Sequence, residues 1–394
     1  MIKITDPKDC CGCGTCSLVC PKQCITMGKD RYGFVFPKVN EEQCINCGAC
    51  NNVCPIENKP LKEIKQTAYV AYTKDDQLRF QSASGGMFGT FARKVLSKGG
   101  VVYGAAFDES NKLRMARLTS ADDLKPLLKS KYIQSDCRSA FGLIRTDLED
   151  GEQVLVCSTP CQIAALRNYL KKDYNNLVLI DIFCHGVPSQ EFFDKCLDYL
   201  ERKNGIKIES YEFRTKVKNG STNYYYTLGY TKNGQHKEKV GLYLDDPYFT
   251  SFEKHISIRE SCYACRYADR NRVGDITIGD FHEIDKYVSG INRFDGVSTL
   301  ITNNSKGEEL LKECADTLNL VEVDLDKMIE NKDCFAGPAH RSAKRDEFME
   351  NYATLDFDTF VDKSMTLKKD QLKGMYYRMP TLIRMILKKV LIRE

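Results

Sequence analysis

The chain has 394 residues, with 58 Lys and Arg against 54 Asp and Glu and a formal net charge of +4. So small a charge, with both signs interspersed, gives no basic footprint for nucleic acid, while the length leaves room for two or three domains. Met1–Thr5 carries no apolar leader before the first cysteine motif and no stretch is apolar for long enough to span a membrane, so its nineteen cysteines are expected to be reduced thiols in a cytoplasm, used as metal ligands. Trp is absent, but 21 Tyr and 19 Phe are available to stack on a planar cofactor.

The first 57 residues are expected to form a bacterial-ferredoxin-like module. Cys10-x2-Cys13-x2-Cys16-x3-Cys20-Pro21 is followed by Cys44-x2-Cys47-x2-Cys50-x3-Cys54-Pro55, the run that holds two [4Fe–4S] clusters. Three close thiolates wrap one cubane, and the fourth comes from the other repeat. Cluster one is therefore assigned to Cys10, Cys13, Cys16 and Cys54, and cluster two to Cys44, Cys47, Cys50 and Cys20. Structural zinc prefers two separated cysteine pairs, and disulfides suit small secreted scaffolds, so neither explains the doubled run. Cys11 and Cys24 fall outside it and read as packed thiols. Gly28–Val39 reads as a hairpin between the repeats, turning at Tyr32-Gly33, and residues 58–66 as a linker.

A second domain is expected over 67–320. Thr67–Tyr72 reads as a strand, and Phe88–Lys98 as a helix whose Phe88, Phe91, Ala92, Val95 and Leu96 share one face. Between them, Ser82-Ala83-Ser84-Gly85-Gly86 reads either as a phosphate cradle at a helix N-terminus or as a tight turn with a cap. Val101–Phe107 is a buried strand and Leu124–Lys129 a short helix. Lys131-Tyr132 follows, a pair suited to an anionic planar ligand or to an exposed loop. Phe141–Asp150 is an amphipathic helix, and the Gln153–Cys157 strand runs into Pro160, a helix start that places Cys161 in the first turn. The Leu177–Phe183 strand delivers Cys184-His185-Gly186 at its C-terminal end, where ligands gather in α/β sheets. Ile208–Arg214 and Tyr224–Thr231 read as antiparallel strands, the second turning at Asn233-Gly234. Strands at Asp275–Phe281 and Gly296–Thr302 and a helix at Lys306–Leu318 complete the domain. Residues 321–394 form a C-terminal extension. In it, Met379–Ile392 reads as a basic amphipathic helix for a partner subunit, the rest of the chain or an anionic membrane surface, which adds a peripheral location to the cytoplasmic one.

Cys161, Cys184, Cys262 and Cys265 come from three distant segments, and their spacing alone leaves a third [4Fe–4S] cluster and zinc both open. Residues 67–345 resemble the beta subunit of coenzyme F420-reducing hydrogenases and dehydrogenases, and the related 7-hydroxymethyl chlorophyll a reductases. The resemblance rests on Ser82-Ala83-Ser84-Gly85-Gly86, Lys129-Ser130-Lys131-Tyr132, Ser158-Thr159-Pro160-Cys161-Gln162, Cys184-His185-Gly186, Cys262-Tyr263-Ala264-Cys265 and Asp275–Phe281. It implies a mixed α/β flavin-binding domain, α+β or α/β in class, with FAD (or FMN) and an adjacent [4Fe–4S] cluster on Cys161, Cys184, Cys262 and Cys265. It also places flavin contacts on Ser84, Gly85, Gly86, Lys131, Tyr132 and Thr159.

Beside Cys184, His185 is the candidate proton donor to flavin or substrate, with orientation of its own loop as the alternative. His282 is a lesser candidate. Asp275 and Asp280 read as turn and strand-edge residues, the segment from Cys334 through the basic residues His340, Arg341, Lys344 and Arg345 as a solvated loop, and Cys137, Cys157, Cys196, Cys314 and Cys334 as small buried hydrophobes. Together these readings describe an iron–sulfur flavoprotein oxidoreductase. Its partners would be ferredoxin or another redox protein, and a small organic substrate or F420-like cofactor. The alternatives are a non-catalytic electron-transfer subunit and a zinc-binding interaction protein.

Overall fold

The structure is a computed structural model that describes residues 1–60, 65–218, 224–281, 295–330, 333–365, 368–379 and 383. In the N-terminal module the repeated cysteines sit around two short helices, α1 (Thr15–Leu18) and α2 (Ala49–Asn52). Each is entered through a glycine in the left-handed region, Gly14 and Gly48, both at φ 76°, where a side chain would add strain. Between them β1 (Ile25–Lys29) and β2 (Val35–Val39) pair antiparallel, Ile25 opposite Val39, as the expected hairpin.

The remaining chain builds a mixed sheet. In chain order its strands are β3 (Thr67–Thr73), β4 (Val101–Phe107), β5 (Leu113–Leu118), β6 (Val154–Ser158) and β7 (Leu177–Ile182). The excursion β8 (Lys207–Thr215), β9 (Tyr225–Lys232) and β10 (Gln235–Leu242) forms a separate antiparallel sheet. The main sheet resumes with β11 (Ile276–Asp280), β12 (Ser298–Thr302) and β13 (Leu318–Val323). Its eight strands lie in the order β13-β3-β12-β11-β7-β6-β4-β5. The central run β11-β7-β6-β4 is parallel, and the other pairs are antiparallel. The class is therefore mixed α/β.

Alternation along β6 explains how the two faces are filled. Val154 and Val156 turn to the face covered by α5 (Arg138–Glu149), α6 (Pro160–Leu170) and the N-terminal module. Leu155 turns to the other face, against Phe91, Ala92, Val95 and Leu96 of a helix at Met87–Ser97, the apolar stripe expected from periodicity. A third core, rich in aromatics, joins the small sheet to helices at Gln190–Asn204, Pro247–Glu253 and Arg345–Thr354.

Local differences from the sequence reading have local causes. Residues 124–129 hold no α-helix: Pro126 lacks an N–H, and two 3-10 turns form instead at Ala121–Asp123 and Lys125–Leu127. Helix α5 starts three residues before Phe141. The helix expected to run to Leu318 ends at Cys314, because Leu318–Val323 pairs with β3 and so crosses residue 320. The expected C-terminal helix, apart from Met379 and Ile383, and His282 lie outside the described residues. No described helix is long and apolar enough to cross a membrane.

Candidate metal centres

Cys20, Cys44, Cys47 and Cys50 line one pocket near the surface, together with Cys24. Cys47 is exposed and Ile45 beside it is 57% exposed. Cys24 is more than a packed thiol: its sulfur lies 3.4 Å from that of Cys20. The other set, Cys10, Cys13, Cys16 and Cys54, is buried. There, burial and then the adjoining Cys13, Cys10 and Cys54 push the Cys16 thiol well up, so the four thiols share one neighbourhood. Donors already point at these sulfurs: Gly12 N–H to Cys10 at 3.4 Å, Thr15 Oγ1 to Cys13 at 3.3 Å and Ile2 N–H to Cys50 at 3.2 Å. Such bonds stabilise thiolate charge and tune a cluster's potential.

A second, interior pocket is lined by Cys161, Cys184, Cys262 and Cys265. The three segments meet because β6 and β7 are parallel neighbours whose C-terminal ends open on the same edge, and because residues 187–188 run beside 258–259, with Arg259 N–H on Val187 O at 3.0 Å. Thr159 caps α6, and its Oγ1 lies 3.4 Å from Cys161 Sγ. Burial, then Cys262 and Cys161, hold the Cys184 thiol well above its usual range. Behind the pocket Arg272 donates to Asp181, and both are fully buried.

Four thiols with no histidine or carboxylate among them are a donor set that an iron–sulfur cubane takes and that structural zinc takes as well. Among the described residues no group of three or more His, Cys, Asp or Glu is closed on a single ion.

Three residues that sequence reasoning passed over sit at these centres. Cys11 lines the interior pocket, and its hydrogen bonds to Cys13 and Cys161, more than burial, hold its thiol well above the usual range. One thiol thus touches both buried cysteine sets. Cys334, expected in a loop as a buried hydrophobe, also lines that pocket, as does Arg259. Adjacency to Cys10 was the one available signal for Cys11; nothing local marks the other two.

The expected flavin contacts fall in different places. Thr159 lines the interior cysteine pocket. Ser84–Gly86 lies at the C-terminal edge of the sheet with its polar groups engaged: Ser84 Oγ donates to Val297 O, Gly85 N–H to Ser298 Oγ, and Gly85 O accepts from Thr73 N–H. That matches a tight turn docked on β3 and β12. Tyr132 stacks on Phe252 at 4.2 Å, and its hydroxyl accepts from the buried Arg214, itself paired with Asp280 at 2.7 Å. Lys131 donates to the Leu128 and Lys129 carbonyls, and burial pushes its ammonium down to about 7. Lys216, buried nearby on the same edge, donates to the carbonyls of Arg79, Ser84 and Asp295. His185 is exposed, its ring parallel to that of His255 at 6.2 Å, and does not line the cysteine pocket. Asp275, expected at a turn, is buried and accepts from Leu179 N–H at 2.7 Å and from Arg167.

Residues 9–58 match the family described as a 4Fe-4S dicluster domain, and residues 151–327 match that of the coenzyme F420 hydrogenase/dehydrogenase beta subunit, C terminus. A coenzyme F420-dependent sulfite reductase from Methanocaldococcus jannaschii is 27% identical over 383 residues, covering 90% of this chain and 54% of that protein. The chain thus spans about half the length of the curated relative it matches. A chain of the F420-reducing [NiFe] hydrogenase complex from Methanosarcina barkeri superposes with a TM-score of 0.44 at 14% identity, over 80% of this chain and 93% of that one. A 4Fe-4S dicluster domain thus precedes a region similar to the C terminus of the coenzyme F420 hydrogenase/dehydrogenase beta subunit.

Proposed function

We propose that the chain is an oxidoreductase passing electrons between a ferredoxin-type carrier and an F420-like or other small organic substrate, through three [4Fe–4S] clusters and a flavin. The observation that carries this reading is that Cys20, Cys44, Cys47 and Cys50 line one pocket while Cys161, Cys184, Cys262 and Cys265 line another, with Cys10, Cys13, Cys16 and Cys54 buried. Cys20, Cys44, Cys47 and Cys50 would hold the outermost cluster, Cys10, Cys13, Cys16 and Cys54 the next, and Cys161, Cys184, Cys262 and Cys265 the innermost. When bound, the cubanes supply single electrons and the flavin exchanges them for the electron pair of an organic partner.

The flavin part of the proposal is supported by charge. Lys216 is buried and Lys131 half-buried, and both ammonium groups donate to backbone carbonyls, Lys216 to that of Ser84, two residues before the N-cap of the helix at Met87–Ser97. A dinucleotide pyrophosphate would add countercharge and meet free amides of the first helical turn. The Ser84–Gly86 donors are engaged, so in this proposal the anion is held by the lysines and the first helical turn.

The test is anaerobic purification followed by iron, sulfide, zinc and flavin analysis per chain. About twelve irons and one flavin are expected. About eight irons would remove the innermost set as a cluster site, and zinc in place of iron would overturn the reading. Full iron without flavin would favour a second reading, an electron-transfer subunit whose catalytic partner is another polypeptide. The relative's greater length is the observation behind that alternative.

A further inference from the structure

Arg259 is the largest of the fully buried side chains, at 1% exposure. A buried guanidinium is ordinarily held by a carboxylate, because an unpaired charge gives up its hydration with nothing to replace it. Among the described residues Arg259 has no carboxylate partner. Its Nε donates to Cys10 O at 2.7 Å, Nη1 to Gln134 Oε1 at 3.2 Å and Nη2 to Val35 O at 2.9 Å, and its guanidinium lies 4.2 Å from the centre of the Phe36 ring. Glu260, next in sequence, is committed to Arg341 and Arg345.

What faces the charge is sulfur. Arg259 lines the interior pocket with Cys161, Cys184, Cys262 and Cys265, and it is bonded to the backbone of Cys10, a member of the inner ferredoxin set. Space is kept for it: a Cβ on Gly12 would stand 2.7 Å from Nη1.

We propose that Arg259 is the shared countercharge of the two buried clusters, a positioning residue that raises both of their reduction potentials while leaving the outer cluster alone. This rests on the three-cluster reading above. A four-thiolate cubane is anionic in both oxidation states and more so when reduced, so a fixed cation between two of them favours the reduced form of each. The same cation screens the repulsion between them.

The test compares Arg259→Met, Arg259→Gln and Arg259→Lys with the parent by iron content and by redox titration followed by electron paramagnetic resonance. Iron in the parent reports on the three-cluster reading independently. In the neutral variants two of the three midpoint potentials should move to more negative values with the third unmoved, and Arg259→Lys should lie closer to the parent. Fully loaded neutral variants with unshifted potentials, or an equal shift of all three, would overturn the proposal. If neither neutral variant retains iron, Arg259→Lys decides: full iron with parent-like potentials supports the cation, and loss of clusters there too makes the role one of packing and overturns it.

Discussion

Arg272 donates from Nη2 to Asp181 Oδ1 at 2.8 Å, and both side chains are shut off from solvent. The Asp181 carboxylate also accepts from the Val273 and Gly274 amides and from Thr277 Oγ1, so it ties the loop before β11 to β7. Because Arg272 lines the interior cysteine pocket, this pair is the wall on which that pocket is built. Removing one partner of a buried pair leaves a desolvated charge and costs ~3–5 kcal/mol. Asp181→Ala is therefore expected to lower stability by that order, read from denaturant midpoints under anaerobic conditions. An unchanged midpoint would show that the pair is not holding the wall.

Ligands and bystanders among the crowded cysteines should separate cleanly. Cys184→Ser and Cys262→Ser are expected to lose about four of about twelve irons, leaving the ferredoxin-type signals in place. Cys11→Ala and Cys24→Ala should keep the full complement, since each lies against a set of four already complete. Iron analysis of the four proteins checks this, and a loss of iron from Cys24→Ala would reassign the outer set.

The contrast between legible and illegible parts follows from sequence distance. The ferredoxin sets could be read from sequence because their ligands recur within 45 residues, with proline after each fourth cysteine. The interior set needed the parallel pairing of β6 with β7 to bring Cys161 beside Cys184, and its spacing alone left zinc open. Arg259 carries no local signal at all, because what makes it unusual is that no carboxylate among the described residues pairs with it. For Ser84–Gly86 the sequence leaves a phosphate cradle and a tight turn both open, and in the fold Ser84 Oγ and Gly85 bond to Val297, Ser298 and Thr73. The helix expected from Phe141 begins at Arg138, and the one expected to run to Leu318 ends at Cys314, where an unforeseen strand, Leu318–Val323, pairs with β3.

Lys216 gives the C-terminal edge of the sheet a pH signature. Burial, then the nearby Arg79 and Arg214, push it down to about 7, against the opposing pull of Asp280 and Asp295. Its folded value lies below its unfolded one, so between about pH 7 and 10 the unfolded chain binds more protons and stability rises with pH. Below pH 7 both states are protonated and the contribution is flat. Relative to Lys216→Met, the parent protein should gain up to about 1.4 kcal/mol per pH unit across that window. A bound anionic flavin should reverse the trend by favouring the charged ammonium, so flavin retention should weaken as pH rises. Paired denaturation series with and without flavin measure both effects, and parallel curves for parent and variant would remove Lys216 from the account.

In the proposed path electrons would enter at the outer cysteine set, because Cys47 is exposed and Ile45, two residues earlier, shows 57% of its surface. An apolar side chain standing over a redox centre suits a transient contact, in which a small apolar patch excludes water while charges around it set the approach. Ile45→Glu is expected to slow reduction by a reduced ferredoxin roughly fivefold to tenfold, equivalent to about 1 kcal/mol at the contact, with iron content unchanged. Reduction by dithionite, too small to need a docking patch, should keep the parent rate. Stopped-flow traces at the cluster absorbance distinguish the two donors. Equal slowing with both would mean that the substitution disturbs the cluster itself, and no slowing with either would move the entry point away from Cys47.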